Sequence, residues 1–83
     1  MDYQSGYAHY LTEEKRASAN TLSSYLRDVA QFAEYLAEHE NCEVHLATSQ
    51  MIQEYMGWMQ GQGKSVAFIT RFLASVKTFY QFL

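Results

Sequence analysis

The segment Gly63-Lys64-Ser65-Val66-Ala67-Phe68-Ile69-Thr70-Arg71-Phe72-Leu73-Ala74-Ser75-Val76-Lys77-Thr78-Phe79-Tyr80-Gln81-Phe82-Leu83 decides the fold. Its apolar residues at 66, 69, 73, 76, 80 and 83 are spaced by three and four in turn, which is one stripe of an α-helix. Ser65 occupies the N-cap position and Gly63 stops whatever precedes it, so the pattern predicts a helix over 66–83. At about 100° per residue, Lys64, Ala67, Arg71, Ala74, Ser75 and Thr78 fall opposite the stripe, with Lys77 on one flank. Cations separated by small and hydroxyl side chains let a polyanion come close to the backbone. Such a face suits a helix lying in a nucleic-acid groove or along phosphates. The plainer reading of the same residues is a solvated helix surface.

Charge is distributed to one side. From residue 64 onward there are three basic residues and no acid, whereas residues 1–63 carry three basic residues and nine acids. A net charge of −3 therefore hides a basic terminal helix on an acidic body.

Working back from that helix, Gly61-Gln62-Gly63 closes a third helix over about 49–60, capped by Thr48 or Ser49. Its apolar positions are Met51, Ile52, Tyr55, Met56 and Met59, with Trp58 at the edge and Gly57 as a weak point. Residues 40–47 read as a loop with Val44 and Leu46 turned inward. A second helix spans about 20–39, capped by Ser18 or Asn20, with apolar positions 22, 25, 26, 29, 32, 33 and 36. Asn20, Ser24, Arg27 and Gln31 form its outward line, which turns acidic at Glu34 and Glu38. A first helix over about 3–15 places Tyr3, Tyr7, Tyr10 and Leu11 on one face; Gly6 weakens its first turn.

Eighty-three residues with 48% hydrophobic and 16% aromatic content can build one packed domain. With no proline and four glycines, little interrupts long helices. The single cysteine, Cys42, has no intrachain partner, which fits a reducing cytoplasm. No run reaches the roughly 18 apolar residues of a membrane span, and no signal-peptide core is present. A last helix ending on Phe82-Leu83 without a capping glycine predicts a fragment of a longer protein.

Chemical sites are sparse. His39, Cys42 and His45 lack the fourth ligand a zinc site wants, so no metal is expected. Glu43 beside Cys42 opposes formation of a thiolate nucleophile. Asp28, next to Arg27, points to pairing on or between helices. There is no phosphate-cradling glycine loop and no catalytic constellation. No cofactor or small-molecule ligand is implied, and the chain is not expected to be an enzyme by itself.

The order of these pieces carries a resemblance. Ser18-Ala19-Asn20-Thr21-Leu22-Ser23-Ser24-Tyr25-Leu26-Arg27-Asp28-Val29-Ala30-Gln31-Phe32-Ala33-Glu34-Tyr35-Leu36 resembles the second helix of the N-terminal core-binding domain of tyrosine recombinases, the phage-integrase and Xer-like proteins. The match rests on Asn20-Thr21, Tyr25, Asp28, Phe32 and Leu36. Thr48, Ile52 and Tyr55 resemble that family's third helix. Gly63, Ser65, Ile69, Arg71, Leu73, Val76, Lys77, Phe79, Tyr80, Phe82 and Leu83 resemble its fourth.

The resemblance implies an all-α, four-helix SAM-like bundle that forms half of a clamp on double-stranded DNA. It implies that the second and fourth helices face the major groove. That nominates Asn20, Thr21, Ser24 and Arg27 on the former, and Lys64, Ser65, Ala67, Phe68, Arg71, Ser75 and Lys77 on the latter. Strand cleavage in this family uses a tyrosine in a following domain, so none of the seven tyrosines here is cast as the nucleophile. The expectation is a bacterial or phage-borne, cytoplasmic DNA-binding module that assists a missing catalytic domain in integration or recombination. Self-assembly on DNA would proceed through the full-length protein. Phe68 stands where the family commonly carries Thr or Ser, and the acidic balance predicts weak binding by the domain alone. The competing expectation is a helical protein-interaction domain anchored by Trp58, Phe68 or Phe72, without DNA binding.

Overall fold

The computed structural model describes residues 3–83; the expectation for the Tyr3 side chain falls outside the described side chains. Four helices follow in order: α1 Tyr3–Glu13, α2 Ala19–Tyr35, α3 Ser49–Gly61 and α4 Val66–Phe82. A π-helical turn, Leu36–Glu40, prolongs α2, and a 3-10 turn, Val44–Leu46, lies in the connection to α3. No strand occurs among the described residues. The fold is the expected all-α bundle.

Hydroxyl caps start three of the helices. The side chains of Ser18, Thr48 and Ser65 accept from the backbone N–H groups of Thr21, Met51 and Phe68 at 3.1–3.2 Å. Each satisfies one of the N–H groups that a first turn leaves without a carbonyl partner. Left-handed residues end three helical stretches: Arg16 (φ 50°), Asn41 (φ 47°) and Gly63 (φ 82°). Around Gly63 the N–H groups of Gly63 and Lys64 return to the carbonyls of Gln60 and Met59, both at 3.1 Å. This is the closing pattern in which glycine adopts positive φ without a Cβ penalty. It turns the chain so that Lys64 sits at the head of α4.

The core joins Tyr7 and Leu11 of α1, Val29, Phe32 and Leu36 of α2, Tyr55 and Met59 of α3, and Ile69, Phe72, Val76 and Phe79 of α4. Edge-on aromatic contacts tie the helices together, with Phe72 centred 5.4 Å from Phe32 and 4.9 Å from Tyr55. Tyr7 meets Phe79 at 5.1 Å. Such pairs add directional attraction to the burial itself.

Several expectations about burial need correction, among them Phe72 as an exposed interaction anchor, since it is 1% exposed. On α4, Val66, Leu73 and Leu83 are 81%, 44% and 51% exposed, while Phe72 and Phe79 are buried. The core face is therefore turned by roughly 60° from the predicted stripe, at about 100° per residue. In the α2–α3 connection Val44 is buried as expected, but Leu46 faces outward, because the 3-10 turn places residues two apart on different sides.

Candidate nucleic-acid interface

The N-terminal half of α2 and the first half of α4 meet along a shallow cleft of about 260 Å³ lined by Asn20, Thr21, Ser24, Tyr25 and Arg71. One wall is the first two turns of α2, Asn20, Thr21, Ser24 and Tyr25. The other is the guanidinium of Arg71. Asn20, Thr21 and Ser24 of α2 and Arg71 of α4 thus lie on one side of the bundle.

What holds Arg71 there is Asp28. Its carboxylate is buried, with 1% of the side chain exposed against 36% for Arg71. Nε and Nη2 of Arg71 donate to Oδ2 and Oδ1 at 3.0 and 2.7 Å, a side-on, two-point ion pair. The hydrogen bond to Asp28 raises the guanidinium pKa still further, against a smaller opposing effect of burial. Phe68, one turn earlier, lies under the guanidinium at 4.8 Å and under the Lys64 ammonium at 5.1 Å. Lys64, Phe68 and Arg71 therefore form a cation–ring–cation ridge along α4.

The remaining nominated residues divide. Asn20, Arg27, Lys64, Ser65, Ala67 and Lys77 are exposed, and Thr21, Ser24 and Phe68 are half-buried. Lys64 borders a second groove, about 280 Å³, whose lining includes Gln31, Glu34, Glu38, Tyr35 and Trp58. That groove marks where the surface turns acidic. Ser75 does not belong to the outward face: it is fully buried. Its Oγ lies 2.8 Å from the carbonyl oxygen of Phe72 and 3.3 Å from Asp28 Oδ2. A small hydroxyl fits there because α1 and α2 both close on that turn of α4.

Asp28 is the residue whose role the sequence reading left open. Its i−3 neighbour Tyr25 lines the cleft while Asp28 points inward. An acid among apolar positions 25, 26, 29, 32 and 33 was the available signal that a cation must reach it from another helix.

The loop that holds His39, Cys42 and His45 is accounted for by local contacts. His39 stacks on Tyr35 at 4.6 Å, Cys42 Sγ donates to the Glu43 carbonyl at 3.3 Å, and His45 lies 3.5 Å from the Glu43 carboxylate. No helix among the described residues is long and apolar enough to cross a membrane.

A small helical bundle with hydroxyl-capped helices and a polar α2–α4 cleft defines the class. The chain belongs to the phage integrase N-terminal SAM-like domain family, whose model matches residues 5–83. Among curated proteins it is 34% identical over 76 residues to tyrosine recombinase XerD of Staphylococcus aureus, a match covering 92% of this chain and 26% of that protein. It is 43% identical over 79 residues to "Putative tyrosine recombinase TTE1313" of Caldanaerobacter subterraneus subsp. tengcongensis, covering 93% of this chain and 26% of that protein. The chain thus spans about a quarter of the length of these relatives. No solved structure matches it at a significant level.

Proposed function

We propose that this chain is the DNA-binding module of a tyrosine recombinase or integrase, gripping duplex DNA with α2 and α4. The observation that carries this reading is the shared cleft, where Asn20, Thr21 and Ser24 of one helix meet Arg71 of the other. Family membership supports it from a separate direction. Exposed Arg27, Lys64 and Lys77 supply the charge that neutralises phosphates. Strand cleavage and rejoining are assigned to a catalytic domain outside this chain, and assembly on DNA to the longer protein. The setting is the cytoplasm of a bacterium, or of one carrying a phage.

The net charge of −3 opposes the approach of DNA. Arg27, Lys64 and Lys77, which form no ion pair among the described residues, give a salt slope of about −3 and weak affinity, between about tens of micromolar and about millimolar. Fluorescence anisotropy of a labelled duplex between about 50 and 200 mM salt tests this. Binding that weakens steeply with salt supports the reading. Absence of saturable binding at the lowest salt, or binding indifferent to salt, overturns it.

A further inference from the structure

The cleft between α2 and α4 is unusual for a phosphate site, because it carries no net charge. Its other linings, Asn20, Thr21, Ser24 and Tyr25, are neutral hydrogen-bonding side chains, and its one cation is already matched by buried Asp28. Arg27, Lys64 and Lys77 form no ion pair among the described residues, so they differ in kind from Arg71.

The ion pair also decides which part of Arg71 is offered. A guanidinium has five N–H groups. Asp28 takes the side-on edge, through Nε and Nη2. The end-on edge, one N–H each from Nη1 and Nη2, stays parallel and unspent on Asp28. The two-point bond to Asp28, with the Phe68 ring 4.8 Å from the guanidinium carbon, fixes the plane of the guanidinium before any ligand arrives. A fixed, charge-cancelled fork suits two neutral acceptors in a plane. Guanine presents such a pair, O6 and N7, in the major groove.

We infer that Arg71 reads the O6/N7 edge of a guanine through its end-on N–H pair, with Asp28 as the positioning residue that fixes the fork and cancels its charge. This rests on the DNA-binding reading above and deepens it: Arg27, Lys64 and Lys77 bind phosphate, and Arg71 binds a base. Asn20, Thr21 and Ser24 are placed to contact the neighbouring edges in the same groove.

The test compares a G·C-rich duplex with the same duplex carrying 7-deazaguanine, which lacks the N7 acceptor. The wild-type chain is expected to bind the deaza duplex about fivefold more weakly, a fraction of a two-point Arg–guanine contact. Arg71→Lys keeps the charge and a partner for Asp28 but loses the fork. It is expected to bind the normal duplex about five- to tenfold more weakly and to treat both duplexes alike. Asp28→Asn frees the charge of Arg71 and its orientation together. It is expected to bind both duplexes at least as tightly as wild type, with a steeper salt dependence and no preference between them, a pattern that mere loss of structure does not give. Thermal melts of each variant establish that it is folded. If wild type binds both duplexes equally, or Arg71→Lys keeps the wild-type preference, the guanine assignment is overturned while the DNA-binding reading stands. If wild type binds neither duplex, both are overturned.

Discussion

The phenol of Tyr7 donates to the backbone carbonyl of Ser75 at 2.7 Å, linking α1 to the middle of α4 across almost the whole chain. Tyr7 is fully buried and so is Ser75, and burial drives the phenol pKa upward. The bond sits directly behind the Asp28–Arg71 pair, whose Oδ2 also lies within reach of Ser75 Oγ. Tyr7→Phe keeps the ring and its contact with Phe79 but removes the donor. It is expected to cost about 1 kcal/mol, lowering Tm by about 4–8 °C for a domain of this size, as read by thermal melting.

The ion pair predicts an asymmetry. Removing Asp28 leaves a guanidinium that is one-third exposed and can turn to water. Removing Arg71 leaves a carboxylate sealed in the protein. Arg71→Ala is therefore expected to cost about 3–5 kcal/mol and Asp28→Asn about 1–2 kcal/mol. Urea unfolding of both variants checks the order; equal losses would mean that Asp28 is hydrated in solution.

Much of this was legible in the sequence, and what was not has physical reasons. The four helices follow from short-range chemistry, so periodicity sufficed, and Ser65 was the one cap fixed outright; Ser18 and Thr48 each had a rival, Asn20 and Ser49, that spacing alone does not eliminate. The rotation of α4 did not follow. Val66, Phe68, Ile69, Phe72, Leu73, Val76, Phe79 and Tyr80 lay two overlapping apolar stripes on one helix, and spacing alone cannot choose between them. Tertiary contacts chose the stripe with Phe72 and Phe79, which sweeps Ser75 into the interior. The end of α1 at Glu13 fell close to the expected 15, but the left-handed turn at Arg16 that follows it was hidden, because a non-glycine at positive φ leaves no mark in composition. In the candidate site, the outward line of α2 was legible, but the Asp28–Arg71 bond joins residues 43 apart and needed the fold.

The glycines of α1 and α3 predict opposite signs. A Cβ on Gly6 would come within 2.9 Å of Phe82 Cζ, whose ring packs on Tyr7 and Tyr10. A Cβ on Gly57 meets nothing within 4 Å. Gly57→Ala is expected to stabilise by about 0.5–1 kcal/mol through helix propensity. Gly6→Ala gains the same propensity but must displace the Phe82 ring, and is expected to destabilise on balance. Paired chemical denaturation curves give both signs.

Alkaline pH tests the packing of the last helix. The Tyr80 phenol donates to the Val44 carbonyl, and burial, aided by nearby Cys42, pushes its pKa up to about 12. An unfolded phenol titrates near about 10. The folded state holds the proton longer, so this contribution is complete below about pH 10 and is lost as pH rises toward about 12. Buried Tyr7 acts in the same direction. Urea midpoints are expected to fall over that window, with a shallower fall in Tyr80→Phe.

Amide chemical shifts followed during titration with duplex DNA report whether the α2 and α4 polar faces form one DNA-binding surface. The expected result is saturable change concentrated at Asn20, Thr21, Ser24, Arg27, Lys64 and Arg71, reversed by added salt. Changes confined to residues 34–54, with Asn20 and Arg71 unmoved, would contradict it.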